Sequence, residues 1–251
     1  MRAALSVTRV TPEVERNLQN ILKSIAEAAQ VGADLVLFAE TALTGLITNG
    51  DPAHDLPLGR VIPSLATDRI CEAAKRHAIY VALGLVEREG DSLYDSAALV
   101  DPKGRIAMKY RRISLGWRDH KWDPSLYREG TEIPRVRTAF GSLAFLICGD
   151  LFDDDLCARV REMRVDYLLC PMSRNFDGNA YDQARWDREE RHEYAGRAPL
   201  VGATLLLVNQ LGGDFEPDAG DSFGGAMAVA NDGRVIAELP LGKPGLLALD
   251  V

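Results

Sequence analysis

Only four cysteines, Cys71, Cys148, Cys157 and Cys170, occur in 251 residues, and no two are spaced Cys-x-x-Cys. That excludes a cysteine-built zinc site and the dense disulfide framework of small secreted domains, so free thiols are expected. The four histidines, His54, His77, His120 and His192, are scattered without a His-x-x-x-His pair, and no metal is expected. Neither common glycine-rich phosphate loop is present, so no cofactor is implied. Basic residues are in the minority, 29 against 37 acidic ones, and a net charge of -8 provides no phosphate-tracking surface for a nucleic acid. No apolar run approaches the roughly 20 residues of a bilayer span, and the opening MRAALSVTRV turns polar too soon for a signal peptide. These absences predict a cytoplasmic protein with a small-molecule partner. The acidic runs 150–155 and 214–221 lack calcium-loop spacing and read as solvated loops.

What is present is an even mixture of apolar runs and amphipathic stretches, with no linker-like segment, which predicts one domain over 1–251. Residues 3–7 read as a strand, and 13–32 as a helix with Leu18, Ile21, Leu22, Ile25 and Ala28 on one face, closed by Gly32. A buried strand at 33–40, a helix at 64–78 and strands at 79–88 and 93–102 follow, the last turning at 101–104. Residues 113–131 carry no period. Beyond them come a hairpin around Gly141, a helix at 155–164, a strand at 165–171, a long helix at 182–202 and strands at 204–213, 224–239 and 245–251. Interleaving of this kind gives an α/β fold with mixed sheets, each covered by helices on one face and by the other sheet on its second face.

Chemistry concentrates where buried strands end, at Glu40, at Cys148 and at 171–175. A lone cysteine in an apolar run is ordinarily core filler, and a lone carboxylate at a strand end is ordinarily solvated. The two together are a different matter, because a thiol needs a base and a carboxylate in a partly apolar pocket can serve as one. The other three cysteines have bland readings: Cys71 on an inner helix face, Cys157 in a helical turn, Cys170 closing a strand.

Four stretches in order, GADLVLFAETALTG, YRRISL followed by DPSLYREG, LICGDLFDD, and SFGGAMAVANDGRVIAEL, resemble the signatures of the nitrilase superfamily of carbon-nitrogen hydrolases over essentially the whole chain. The resemblance implies a four-layer α-β-β-α sandwich, a homodimer or higher homo-oligomer, and a Glu-Lys-Cys triad that cleaves a small amide or nitrile through a thioester. Carried over by position, Cys148 is the nucleophile and Glu40 the general base, with the Gly149 N–H as an oxyanion donor. The triad lysine is replaced by Arg112, and the accessory glutamate by the shorter Asp123. Lys109 and Lys121 lie close by, but an odd register shift on a strand turns a side chain to the opposite face. Arg112 is expected to pair with Glu40 and keep it ionised, and Arg112→Lys to raise amide turnover if the pocket contracts around the smaller head. Arg174 is read either as a clamp for a substrate carboxylate or as a surface partner of Asp177. Leu151 and Phe152 stand where relatives acting on N-carbamoyl amino acids carry arginines, which disfavours that substrate class. The competing reading is a non-catalytic relative that binds a small metabolite or serves as an assembly subunit.

Overall fold

The computed structural model describes residues 1–212 and 221–251, so the acidic run 214–221, all but its last residue, lies outside the described residues. The described residues form twelve strands: β1 (Arg2–Val7), β2 (Leu35–Leu37), β3 (Tyr80–Glu89), β4 (Ser92–Val100), β5 (Ile106–Arg111), β6 (Val136–Thr138), β7 (Gly141–Phe145), β8 (Tyr167–Met172), β9 (Thr204–Asn209), β10 (Ala226–Val229), β11 (Val235–Leu239) and β12 (Gly245–Asp250). The α-helices are α1 (Val14–Gln30), α2 (Pro52–Asp55), α3 (Leu65–His77), α4 (Asp154–Met163), α5 (Gln183–Arg185) and α6 (Arg191–Val201).

Local chemistry accounts for the helix positions. In α1 the apolar residues Leu18, Ile21, Ile25 and Ala28 recur at helical spacing and are buried, and the chain leaves the helix through Gly32 at φ +73°. Ser64 caps α3 by accepting from the Thr67 N–H, while the Thr67 hydroxyl closes the reciprocal half of a capping box. The helix expected over 182–202 is divided: α5 runs into a π-helical turn at Trp186–Glu190 and then into α6. Such a turn has no periodic signature in the sequence.

The strands form two six-stranded sheets ordered β12-β1-β2-β3-β4-β5 and β11-β10-β9-β8-β7-β6. Both are mixed. β1, β2 and β3 run parallel, as do β7, β8 and β9, and the remaining pairs are antiparallel. Alternation along the strands assigns their faces. Ala4, Val36, Phe38, Val81 and Leu83 pack under α1 and α3, whereas Ala3, Leu5, Leu35, Leu37 and Ala82 join the core shared with the second sheet. That core continues to Leu156 and Val160 of α4 and Ala198 and Val201 of α6. The result is the expected layering of helices, sheet, sheet and helices. Among the described residues no helix is long and apolar enough to cross a membrane.

Candidate active site

Cys148 sits three residues beyond β7, at φ +45°, where a 3-10 turn (Cys148–Phe152) begins. A non-glycine residue in the left-handed region is costly, so the surroundings must hold the turn. Asp150 does so. Its buried carboxylate accepts from Ile147 N at 3.1 Å, Ile113 N at 3.1 Å, Ser114 N at 2.7 Å and Tyr110 Oη at 2.6 Å, clasping the cysteine turn to the segment that follows β5.

Glu40 occupies a similar bend. Thr41 has φ +48°, and the bend lies directly on Gly84 of β3, where a Cβ would stand 2.5 Å from Thr41 N and 2.8 Å from the Glu40 Cα. Only a strand residue without a side chain admits that approach. The Glu40 side chain is fully buried.

Arg112 joins the two bends. On β5, Lys109 and Arg111 turn to one face, where both bind Glu87, while Tyr110 and the next residue in phase, Arg112, turn to the other. Lys109 therefore lies on the wrong face to supply the missing lysine, and Lys121 is exposed. Arg112 Nη1 donates to Glu40 Oε1 at 2.9 Å and lies 3.5 Å from Asp95 Oδ2, while Nε donates to Ser114 Oγ at 2.9 Å. Its Nη2 passes so close to Gly149 and Gly116 that a Cβ on either would collide with it. Gly149 is thus needed to seat the guanidinium, besides any role for its N–H.

Glu40, Arg112, Cys148, Gly149 and Arg174 all line one cavity of about 600 Å³, whose outer wall carries Glu190 of the π turn. Arg174, just beyond β8, donates through Nε to Tyr194 Oη at 3.1 Å and through Nη2 to Glu190 Oε2 at 3.4 Å. The partner expected for it, Asp177, is not the one used. Asp123 is not in the cavity. It is exposed, and its carboxylate accepts from the N–H and hydroxyl of Ser125 at 2.8 and 2.7 Å, a local turn that fixes the loop. That loop is anchored instead by Tyr127, whose buried hydroxyl donates to Asp55. Asp123 is therefore a turn residue rather than an accessory acid.

Burial dominates the electrostatics. It pushes the Glu40 carboxyl up to about 8, with the charge of a Cys148 thiolate acting in the same direction and Arg112 opposing both. The expected effect of Arg112, to hold Glu40 ionised, is outweighed by desolvation. Arg112 itself stays protonated, the acidic groups around it overcoming its burial. The thiols of Cys170, Cys157 and Cys71 are all pushed up, chiefly by burial.

Residues 2–251 match the family model for carbon-nitrogen hydrolases. This chain belongs to the carbon-nitrogen hydrolase family. It is 30% identical to "Nitrilase 3" of an unknown prokaryotic organism, over 94% of this chain and 76% of that one, and 25% identical to an aliphatic nitrilase of Sinorhizobium fredii, over 94% and 80%. Among solved structures an amidase from Nesterenkonia sp. superposes with a TM-score of 0.81 at 22% identity, covering 100% of this chain and 90% of the other. As a member of that family, with nitrilases among its relatives, this carbon-nitrogen hydrolase is an enzyme of the amidase/nitrilase type.

The sequence reading of this hydrolase missed Asp95, Asp150 and Tyr110. Asp95 carried a usable signal, an acid on the inward phase of the otherwise apolar or small YDSAALV. Asp150 was concealed in a run of acids that resembles an ordinary solvated loop.

Proposed function

We propose that the enzyme hydrolyses a small amide or nitrile through a thioester on Cys148, with Glu40 as general base and acid. The observation that carries this reading is the convergence of Cys148, Glu40 and Arg112 on a single cavity at the ends of strands from both sheets. In acylation by an amide the Cys148 Sγ–H proton passes to Glu40 as the S–C bond forms, and the negative charge collects on the substrate oxygen; a nitrile instead gives a thioimidate, to which one water adds before the same loss of ammonia. The Gly149 N–H is the proposed donor to that oxygen. Protonated Glu40 then gives its proton to the nitrogen, the C–N bond breaks and ammonia leaves. Water attacks the thioester, its proton going to Glu40, and the acid departs as the thiol is restored. A carboxyl held near pH 8 by burial is suited to both halves of this exchange.

In a glutamate-to-glutamine mutant of the Nesterenkonia amidase, a fold neighbour, the active-site cysteine has undergone Michael addition of acrylamide, which supports a reactive thiol in this fold. Glu189, Glu190 and Glu193 on the cavity wall against Arg174 favour uncharged amides or nitriles over anionic substrates, and Arg174, already engaged by Glu190 and Tyr194, is a wall residue in this reading rather than a carboxylate clamp. Association as a homodimer or higher homo-oligomer belongs to the same reading through the family. The non-catalytic alternative is not favoured, because Arg112 engages Glu40 beside Cys148 instead of filling a dead site.

The test is ammonia release from a panel of short amides and nitriles. The wild type is expected to turn over at least one, and Cys148→Ala none. Because Arg112 reaches Ser114 and Glu40 with different nitrogens, Arg112→Lys cannot replace both bonds, and a loss of about a hundredfold in kcat/KM is expected, the reverse of what sequence alone suggested. Turnover by Cys148→Ala equal to wild type would remove the proposal.

A further inference from the structure

Asp95 is a buried acid to which the reaction just described gives no part. It lies on β4 and is 1% exposed, with its side chain toward Arg112 and Glu40. Its backbone carbonyl accepts from Arg112 N at 2.8 Å, fixing the height at which the guanidinium enters the site. Both Asp95 carboxyl oxygens, together with Glu40 Oε2, are sealed from solvent and meet no donor. One guanidinium nitrogen, Arg112 Nη1, faces both acids, bonded to Glu40 Oε1 at 2.9 Å and standing 3.5 Å from Asp95 Oδ2. Two carboxyl groups share one cation, and three of their four oxygens lack a hydrogen.

Buried polar atoms are rarely left so, and one hydrogen placed between the two acids partners two of the three, leaving the second Asp95 oxygen toward Arg112 Nη1. We propose that Asp95 is a positioning residue for Glu40: with Glu40 ionised as the base, the pair still holds one proton, the Asp95 carboxyl donating to Glu40 Oε2 while Arg112 donates to Oε1. The trio of Glu40, Asp95 and Arg112 is then neutral overall, as a site sealed from water favours. The other groups facing Asp95 are Tyr110 on β5 and Asp150 in the turn after β7. Asp150 has its own four donors and makes no claim on this proton. Burial and the adjacent Glu40 both push the Asp95 carboxyl upward, in keeping with the geometry.

The inference rests on Glu40 being the base. With the proton in place, Glu40 is held from both sides and oriented for exchange with the thiol and the leaving nitrogen. Once the pair loses it, Asp95 becomes a second anion, repels Glu40 and competes for Arg112. The alkaline decline of activity then belongs to the pair rather than to either residue.

Asp95→Asn tests this, because the amide keeps a donor toward Glu40 but has no proton to lose. Expected in the pH profile of kcat/KM is an alkaline limb moved up by about one unit or more, with kcat lowered up to about tenfold and KM little changed, while Asp95→Leu, lacking a donor, loses about a hundredfold. Infrared spectra at about pH 9, above the ionisation of Glu40, should show one protonated-carboxyl C=O stretch in the wild type that Asp95→Asn removes. Superimposable pH profiles, or no band lost on Asp95→Asn, would overturn the shared proton. The spectra need no turnover, so they decide the matter even if no amide or nitrile is hydrolysed and the proposed reaction itself fails.

Discussion

Glu40 illustrates what a fully buried carboxyl costs the fold that carries it. Its value rises from 4.5 to about 8, so between those limits the folded chain binds more protons than the unfolded one. Stability from this group is fully present below about 4.5 and is lost as pH rises through about 8, the opposite of an ordinary salt-bridged acid. Glu40→Gln should therefore gain stability relative to wild type on going from pH 5 to pH 8.5, by several kcal/mol, in urea unfolding at the two pH values; a constant difference would show that Glu40 is not desolvated as described. Glu40 and Cys148 were legible because each ends a strong apolar run, and Arg112 because of its place in the YRRISL stretch. Asp123 was misplaced because residues 113–131 have no period to anchor a register, and there a one-residue resemblance decides nothing about where a side chain points. Asp95 escaped notice because its meaning lies in Glu40 and Arg112, which come from two other segments of the chain.

At the scale of elements, the cysteine turn and the end of β5 are separate pieces of chain joined by one carboxylate. Asp150 accepts four hydrogen bonds from these two stretches, and truncation strands four donors at once. Asp150→Ala is expected to cost about 3–5 kcal/mol in chemical denaturation and to depress kcat more than KM, since both Cys148 and Arg112 are released. A loss under about 1 kcal/mol would mean that the strained turn at Cys148 is held by something else. Most elements were readable from periodicity: α1, α3, α4, β3, β4 and the β6–β7 hairpin lie within a few residues of expectation. The short strand β5 was not, for IAMKYR alternates charge with apolar residues so briefly that it merges into the irregular stretch beyond it, and the one-turn α2 and the π turn are set by tertiary contacts.

For the whole molecule, the two sheets repeat one pairing pattern, and the site lies on the seam between them, with Glu40, Asp95 and Arg112 from one sheet and Cys148 and Arg174 from the other. Yet the sheets are not drawn from separate halves of the chain. β12 returns to lie antiparallel beside β1, with Arg2 opposite Asp250 and Val7 opposite Gly245. A chain shortened to residues 1–244 should leave β1 as an open edge and lose its cooperative thermal transition by circular dichroism; an unchanged melt would make β12 dispensable. The arrangement also sets an order in time. Among the described strands β1 is synthesised first and its partner β12 last, so the first sheet stays unfinished while the second assembles, and the seam that carries Glu40 and Cys148 closes only once β12 has emerged.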